Sequence, residues 1–437
     1  MHAQQQAGID VMVVAPHDAA VSQYAAVSPD PPIGPDAAVS PDAAAAAAAR
    51  PDPSPDTRPG PSPNTHRPGP SPDTRPPGRR PDTRPPSRRP DTHGTVAGVP
   101  VRWFHYAPAG LERLAYRGGL LAAARSPAAL LIPPFLAAMT AAVRRATRDF
   151  QPDLIHAHWW FPAGFCALPA SRRYGRPLVV TAHGSDLHLL RFPPLRPLAR
   201  AVLRHAALVT AVSADAARLL ATLDPTLRPT VLPLPVPPGP PLRPLPVFPP
   251  LRVLAAGRLV PEKGFDVLID ALRVAVGRGL DVQAEILGSG PLRPSLVSQA
   301  APLADRVRIL PAVSREELAA HIDAAHVVVV PSRREGLGLV AVEALARGRF
   351  VIASRVGGLP EVIDDADDGW LVAPEDPDAL AAALLAAAEK FGESGESGQN
   401  SRTPAPRPVA LRHSPAKVGQ SHRDAYSSVV LREGQSR

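Results

Sequence analysis

The chain has a single cysteine, Cys166, among 437 residues. That excludes an intramolecular disulfide framework and any multi-cysteine zinc site. Cys166 lies in the apolar run Gly164-Phe165-Cys166-Ala167-Leu168, the setting of a buried, inert thiol in a reducing, cytoplasmic compartment. Aromatic residues are scarce too, at 4%, so platforms for stacking nucleic-acid bases are few. The formal charge of +8 therefore does not point to nucleic acid. Much of the excess sits on arginines of a proline-rich stretch, such as Arg79-Arg80 and Arg88-Arg89. Met1 to Asp10 is polar and lacks the basic start and apolar core of a signal peptide. The longest apolar stretch, Leu120 to Val143, is interrupted by Arg125, Pro127, Pro133 and Pro134, too often for a spanning helix. It reads as a core or membrane-facing helix followed by Arg144, Arg145 and Arg148. A cytoplasmic protein with room for peripheral contact at the inner membrane face is the expectation.

What the chain does have is length, aliphatic residues and proline. With 437 residues, 45% of them hydrophobic, it can bury two or three domain cores. The 58 prolines are concentrated locally. Val11 to Val14 reads as a short buried strand in a first domain spanning 1–232. Residues 28–92 form a crude Pro-Asp and Asp-Thr-Arg-Pro repeat around an alanine run, a disordered insertion within one surface loop. Order resumes at Val99 to Phe104. Leu154 to Ala157, Leu178 to Thr181 and Leu208 to Val212 are further strands with helical stretches around them. Residues 233–250 read as a stiff proline-rich linker. A second α/β series then runs through 251–391, with strands at Arg252 to Ala256, Val282 to Leu287, Val307 to Leu310, Val327 to Val330 and Phe350 to Ala353. Residues 392–413 are expected to be a flexible insertion and 414–430 a last helix that crosses back to the first domain. Alternation of this kind implies two parallel-sheet domains of Rossmann type enclosing a cleft, with ligands at the carboxyl ends of the strands.

Loops after the second-domain strands carry groups suited to a nucleoside diphosphate. Gly257-Arg258-Leu259-Val260-Pro261-Glu262-Lys263-Gly264 places two cations five residues apart, able to neutralise an anionic leaving group. Gly288-Ser289-Gly290-Pro291 would let backbone approach a ligand, though a plain turn accounts for it equally well. In Pro331 to Gly348 a buried strand runs into a glycine-spaced turn and then a helix. The free N–H groups of Gly338, Leu339 and Val340 at that helix start are a ready phosphate site. Glu335 lies before the helix and Glu343 within it; eight helical steps would span ~12 Å, about the distance from a donor's sugar to its ribose. In the first domain, His183 follows a strand within Thr181-Ala182-His183-Gly184-Ser185-Asp186. His156 and His158, at i and i+2 without a third ligand nearby, are a poor metal site. Strand-end packing, or acceptor contact by Trp159 and Trp160, suits that segment better.

Together, Gly257-Arg258-Leu259…Glu262-Lys263-Gly264, Gly288-Ser289-Gly290-Pro291, Glu335…Glu343 and Val356-Gly357-Gly358-Leu359-Pro360-Glu361 resemble glycosyltransferase family 4, the retaining GT-B enzymes. The resemblance covers roughly 151–388, with 11–18 and 99–108. It implies a GT-B fold and transfer of a sugar, of hexosyltransferase type, from a nucleotide-sugar donor to a glycan, lipid-linked or small-molecule acceptor. It implies neither cofactor nor metal. Arg258 and Lys263 would hold the diphosphate, Glu335 the transferred sugar and Glu343 the ribose, while His183 would face the cleft and hydrogen-bond the donor sugar. The chain departs from the family pattern where a first strand and glycine-rich loop would precede Val11, so a truncated or inactive nucleotide-sugar-binding form is the alternative. Pro235-Val236-Pro237 replaces the usual Gly-Val-Asp, and Pro415 stands where an aromatic is commoner.

Overall fold

The computed structural model describes residues 9–16, 92–96, 98–108, 111–112, 114, 123, 126–363, 366–396 and 405–435. Most of the proline-rich insertion, 28–91, lies outside the described residues, as does the stretch before Ile9. The insertion ends earlier than expected, because Thr92 already opens a strand. In the first half, β1 (Val13–Pro16), β2 (Thr92–Val96) and β3 (Val99–Phe104) form one sheet in the order β1-β3-β2. β1 is parallel to β3 and β2 makes an antiparallel hairpin with it. A parallel four-stranded sheet follows, ordered β4 (Ile155–His158), β5 (Leu178–Ala182), β6 (Leu208–Ala211) and β7 (Thr230–Val231). Val14, Ala163 and Phe165 pack against the cores of both sheets and join them into one domain. The alternation implies a parallel-sheet domain here, and the described residues form two sheets, one of them with an antiparallel pair.

The second half is one parallel sheet of six strands in the order β10-β9-β8-β11-β12-β13. Its members are β8 (Leu251–Ala256), β9 (Val282–Leu287), β10 (Val307–Leu310), β11 (Val327–Val330), β12 (Phe350–Ser354) and β13 (Gly369–Val372). The reason β11 reads as four consecutive valines is visible in its packing. Val327 and Val329 enter the core on one face, Val328 and Val330 that on the other, as a strand covered by helices on both sides requires. The doubly wound order places the β8 and β11 loops side by side at the carboxyl edge, where the site forms.

The helix Ile132–Phe150 buries Phe135, Ala138, Met139, Ala142 and Val143. The stretch Pro127–Phe150 is long and apolar enough to cross a membrane by length and composition, contrary to the reading from its prolines, which sit in the first turns rather than mid-helix. One face of it nonetheless supplies the core around Phe104 and Cys166. Cys166 is fully buried, and burial pushes its thiol up to about 11, so it is inert at neutral pH.

The region 392–413 is more ordered than its composition suggests. The helix Pro377–Glu396 runs into it, and Pro408–Arg412 is a short helix whose Val409 joins the second-domain core. Only 397–404 lie outside the described residues. The last helix, Pro415–Gln435, is longer than expected and reaches the first domain, where the Tyr426 hydroxyl is 2.5 Å from His156 Nδ1.

A chain rich in proline has few N–H groups to pair, so the linker's carbonyls need donors from elsewhere. Two buried guanidinium groups supply them. Arg347 donates to the carbonyls of Pro240 and Pro241, and Arg349, 0% exposed, to those of Arg243 and Pro244. Both flank buried Asp323, with Arg347 Nη2 at 2.5 Å and Arg349 Nη2 at 3.6 Å. His326 Nε2 lies 3.0 Å from Pro246 O, while its Nδ1 accepts the Arg252 N–H. Replacing Arg349 by methionine would leave several buried acceptors and a carboxylate short of donors. Denaturant unfolding of Arg349→Met is expected to show a loss of about 3 kcal/mol; an unchanged midpoint and slope would contradict this view of the linker.

Candidate functional site

The loop from Pro331 to Gly338 turns the end of β11 into the helix Leu339–Ala346. Glu335 sits in this turn, and its Oε2 accepts from Lys263 Nζ at 2.5 Å and from Ser332 Oγ at 3.0 Å. Lys263 comes from the loop after β8. That loop is docked by the Arg333 and Arg334 N–H groups, both donating to Glu262 O. Arg333 itself clamps Asp266 through Nη1 and Nη2 and reaches Glu375 at 2.8 Å. An ammonium, a carboxylate and a helix start therefore surround a cavity of ≈ 250 Å³, whose lining also includes His183, Phe265 and Leu337.

His183 arrives from the first domain at the end of β5. Buried Asp186 fixes its loop, accepting the His183 N–H at 2.9 Å and the Trp160 N–H at 3.1 Å. His183 Nε2 lies 2.9 Å from His158 Nδ1, so one of the two nitrogens donates. The domains meet where Gly184 (φ +90°) faces Gly336. A Cβ on Gly336 would lie 2.2 Å from the His183 carbonyl oxygen, and one on Gly184 2.7 Å from the Gly336 Cα. Only glycine lets the two backbones pass this closely. Nearby, the Glu361 carboxylate accepts the Ala214 and Asp215 N–H groups at 2.8 and 2.9 Å, capping the first-domain helix Ala214–Leu223 across the cleft.

Of the residues singled out from sequence, the structure brings His183, Lys263, Glu335, Gly338, Leu339 and Val340 around one cavity. It does not bring the others there. Arg258 is exposed beyond β8 and outside the lining. Gly288 and Gly290 give their closeness to the neighbouring loop rather than to a ligand, since a Cβ on them would lie 1.9 Å from Gly257 O and 2.3 Å from Leu259 O. Glu343 bonds Arg315 at 2.9 Å, and the chain between it and Glu335 is a turn as far as Gly338 and only then helix, not eight helical steps. Trp160 is 0% exposed with its indole N–H on Asp186 O, which removes it as an acceptor contact; Trp159 stays exposed. His156 does more than pack, bridging Thr181 and Tyr426. Sequence reasoning missed Ser332, which orients Glu335, and Asp186, which orients the His183 loop. The Asp three residues after His183 is the spacing that could have revealed the latter.

Two parallel-sheet domains closing on such a cleft define a GT-B fold, and solved structures of that fold superpose on the chain. Anabaena HepE in complex with UDP-glucose matches with a TM-score of 0.56 and 22% identity, covering 76% of this chain and 86% of that one. The α,α-trehalose-phosphate synthase (UDP-forming) of Burkholderia xenovorans, in complex with glucose-6-phosphate, matches with a TM-score of 0.58 and 14% identity over 77% and 88%. The sequence model Glycosyltransferase Family 4 matches residues 95–239, and Glycosyl transferases group 1 matches 250–390. The chain thus carries a glycosyltransferase family 4 domain followed by a glycosyl transferases group 1 domain. Among curated relatives, the D-inositol 3-phosphate glycosyltransferase of Mycolicibacterium gilvum is 35% identical over 289 residues, 58% of this chain and 63% of the relative. That of Actinosynnema mirum is 35% identical over 281 residues, 55% and 66%. The chain thus spans under two thirds of the length of these relatives.

Burial lowers the His183 imidazole from 6.5 to about 4 and raises the Asp186 carboxyl from 3.8 to about 6. Between pH 6.5 and 4 the unfolded chain binds the His183 proton and the folded chain does not, so this stability is present above pH 6.5 and lost as pH falls through 4. Asp186 acts in the opposite sense between pH 3.8 and 6. Comparing wild type with His183→Asn cancels the aspartate. The variant's melting temperature is expected to fall less steeply than wild type's over that window, and NMR should place the His183 titration near 4. Titration near 6.5 would show that the ring is not buried as described.

Proposed function

We propose that the chain transfers a hexosyl unit, with retention of configuration, from a nucleoside diphosphate sugar to an acceptor hydroxyl. The observation that carries this reading is the convergence of the Lys263 ammonium, the Glu335 carboxylate, His183 and the Leu339–Ala346 helix start on one cavity. The UDP-glucose in the related Anabaena structure is the kind of donor such a cavity suits. As the bond from sugar C1 to the phosphate oxygen breaks, its electron pair passes to the diphosphate. Lys263 and the N–H groups of Gly338 to Val340 stabilise that charge. The acceptor oxygen then bonds to C1 from the same face, and its proton passes to the departing phosphate oxygen. No protein base, cofactor or metal is assigned a part in this sequence.

Glu335 contacts the sugar, and its pairing with Lys263 makes the ammonium shared between carboxylate and diphosphate. His183, neutral at physiological pH because burial lowers its pKa, can hydrogen-bond a sugar hydroxyl without adding charge. The cytoplasmic setting expected from the lone reduced thiol is kept in this proposal. Saturating nucleotide sugar should raise the melting temperature, since ligand binding to the folded state stabilises it. Glu335→Gln and Lys263→Met should each lower kcat/KM at least about thirtyfold, ~2 kcal/mol, while leaving the fold intact. Near-normal turnover in either variant would remove the assignment; donor binding without transfer would leave a nucleotide-sugar-binding protein.

A further inference from the structure

A second cavity, ≈ 180 Å³, lies on the other side of the Glu335–Gly336 turn, and these two residues line both cavities. One wall comes from the first domain, with His188 and Arg191 in the segment Asp186–Arg191 and Asp215 at the start of the helix Ala214–Leu223. The other wall comes from the second domain and carries Arg333 and Arg334. Most of these charges are already answered. Asp215 pairs with Arg218 at 3.1 Å, Glu335 with Lys263, and Arg333 with Asp266 and Glu375. Arg334 has only a loose contact with Glu262, at 3.7 Å. No hydrogen bond or ion pair engages the Arg191 guanidinium among the described residues. His188 lies close to both: burial, then the positive fields of Arg334 and Arg191, hold its imidazole below the usual range, against a smaller pull from Glu262.

Two guanidinium groups thus face one concavity from opposite domains without a full counter-charge. Guanidinium forks recognise phosphate oxygens in pairs, and their mutual repulsion in a partly desolvated site is relieved by a bound anion. The donor's own phosphates have Lys263 and the helix start in the first cavity, so this cavity is available to the other substrate.

We propose that the second cavity is the subsite for a phosphate group carried by the acceptor, held by Arg191 and Arg334 with His188 beside them. This rests on reading the first cavity as the donor site. Because the cavities share the Glu335–Gly336 turn, a phosphate anchored there places the rest of a small acceptor next to the sugar being transferred. Phosphate on a soluble sugar or polyol and phosphate in a lipid headgroup offer the same chemistry to the two arginines.

Calorimetry on the full chain tests this without turnover, using UDP, glucose, glucose 6-phosphate, and vesicles of phosphatidylcholine with and without phosphatidylinositol. Wild type is expected to bind glucose 6-phosphate at least about tenfold more tightly than glucose, and Arg191→Gln/Arg334→Gln to lose that preference with UDP affinity unchanged. Retention only on phosphatidylinositol vesicles, lost in the double variant, would assign the phosphate to a lipid. If neither phosphate source binds better than its neutral counterpart, or the double variant binds as wild type does, the subsite is refuted. If phosphate binds through the arginines but UDP does not bind at all, the donor reading falls instead.

Discussion

The cleft depends on how closely two backbones can pass. At Gly184 and Gly336 the loop carrying His183 and the turn carrying Glu335 come together with no room for a side chain on either. That contact draws the first-domain histidine into the lining of the second-domain cavity and also separates the two cavities. A methyl group there would have to push the domains apart, because what it meets is backbone rather than the end of a flexible side chain. Glu361 reinforces the closure by capping a helix of the opposite domain.

Charge is placed to serve the same geometry. Asp323 is buried with Arg347 and Arg349, which turn a proline-rich linker with few donors into an anchored strap. Arg333 is spent on Asp266 and Glu375, holding the β8 and β11 loops side by side. Lys263 and Glu335 are paired with each other but remain accessible from the cavity, so their interaction can be redistributed when an anion enters. Of the arginines lining the second cavity, Arg333 is tied to Asp266 and Glu375, whereas among the described residues Arg191 has no ion pair and Arg334 only the loose contact with Glu262.

Much of this was legible in the sequence. The four valines of β11, covered on both faces, read directly as a buried parallel strand, and the glycine-spaced turn after it puts Glu335 ahead of the helix that begins at Leu339. His183 stands out because it follows β5 and precedes glycine, and it lines the first cavity. What could not be read was which loops spend their chemistry on each other. Gly288 and Gly290 look like ligand-approach glycines, yet they accommodate the Gly257 to Leu259 backbone. Glu343 looks like a partner of Glu335 but is held by Arg315, a residue from a helix whose position only the fold determines. The second cavity was invisible for the same reason: Arg191 and Arg334 are far apart in sequence and become neighbours only through domain closure.

The proposed donor site is built by both domains across the Gly184–Gly336 contact. A crystal structure of the chain soaked with UDP-glucose tests it most directly. The diphosphate is expected against Lys263 and the Leu339–Ala346 helix start, with the sugar ring between Glu335 and His183. Nucleotide bound elsewhere, or bound with His183 withdrawn from the sugar, would contradict it.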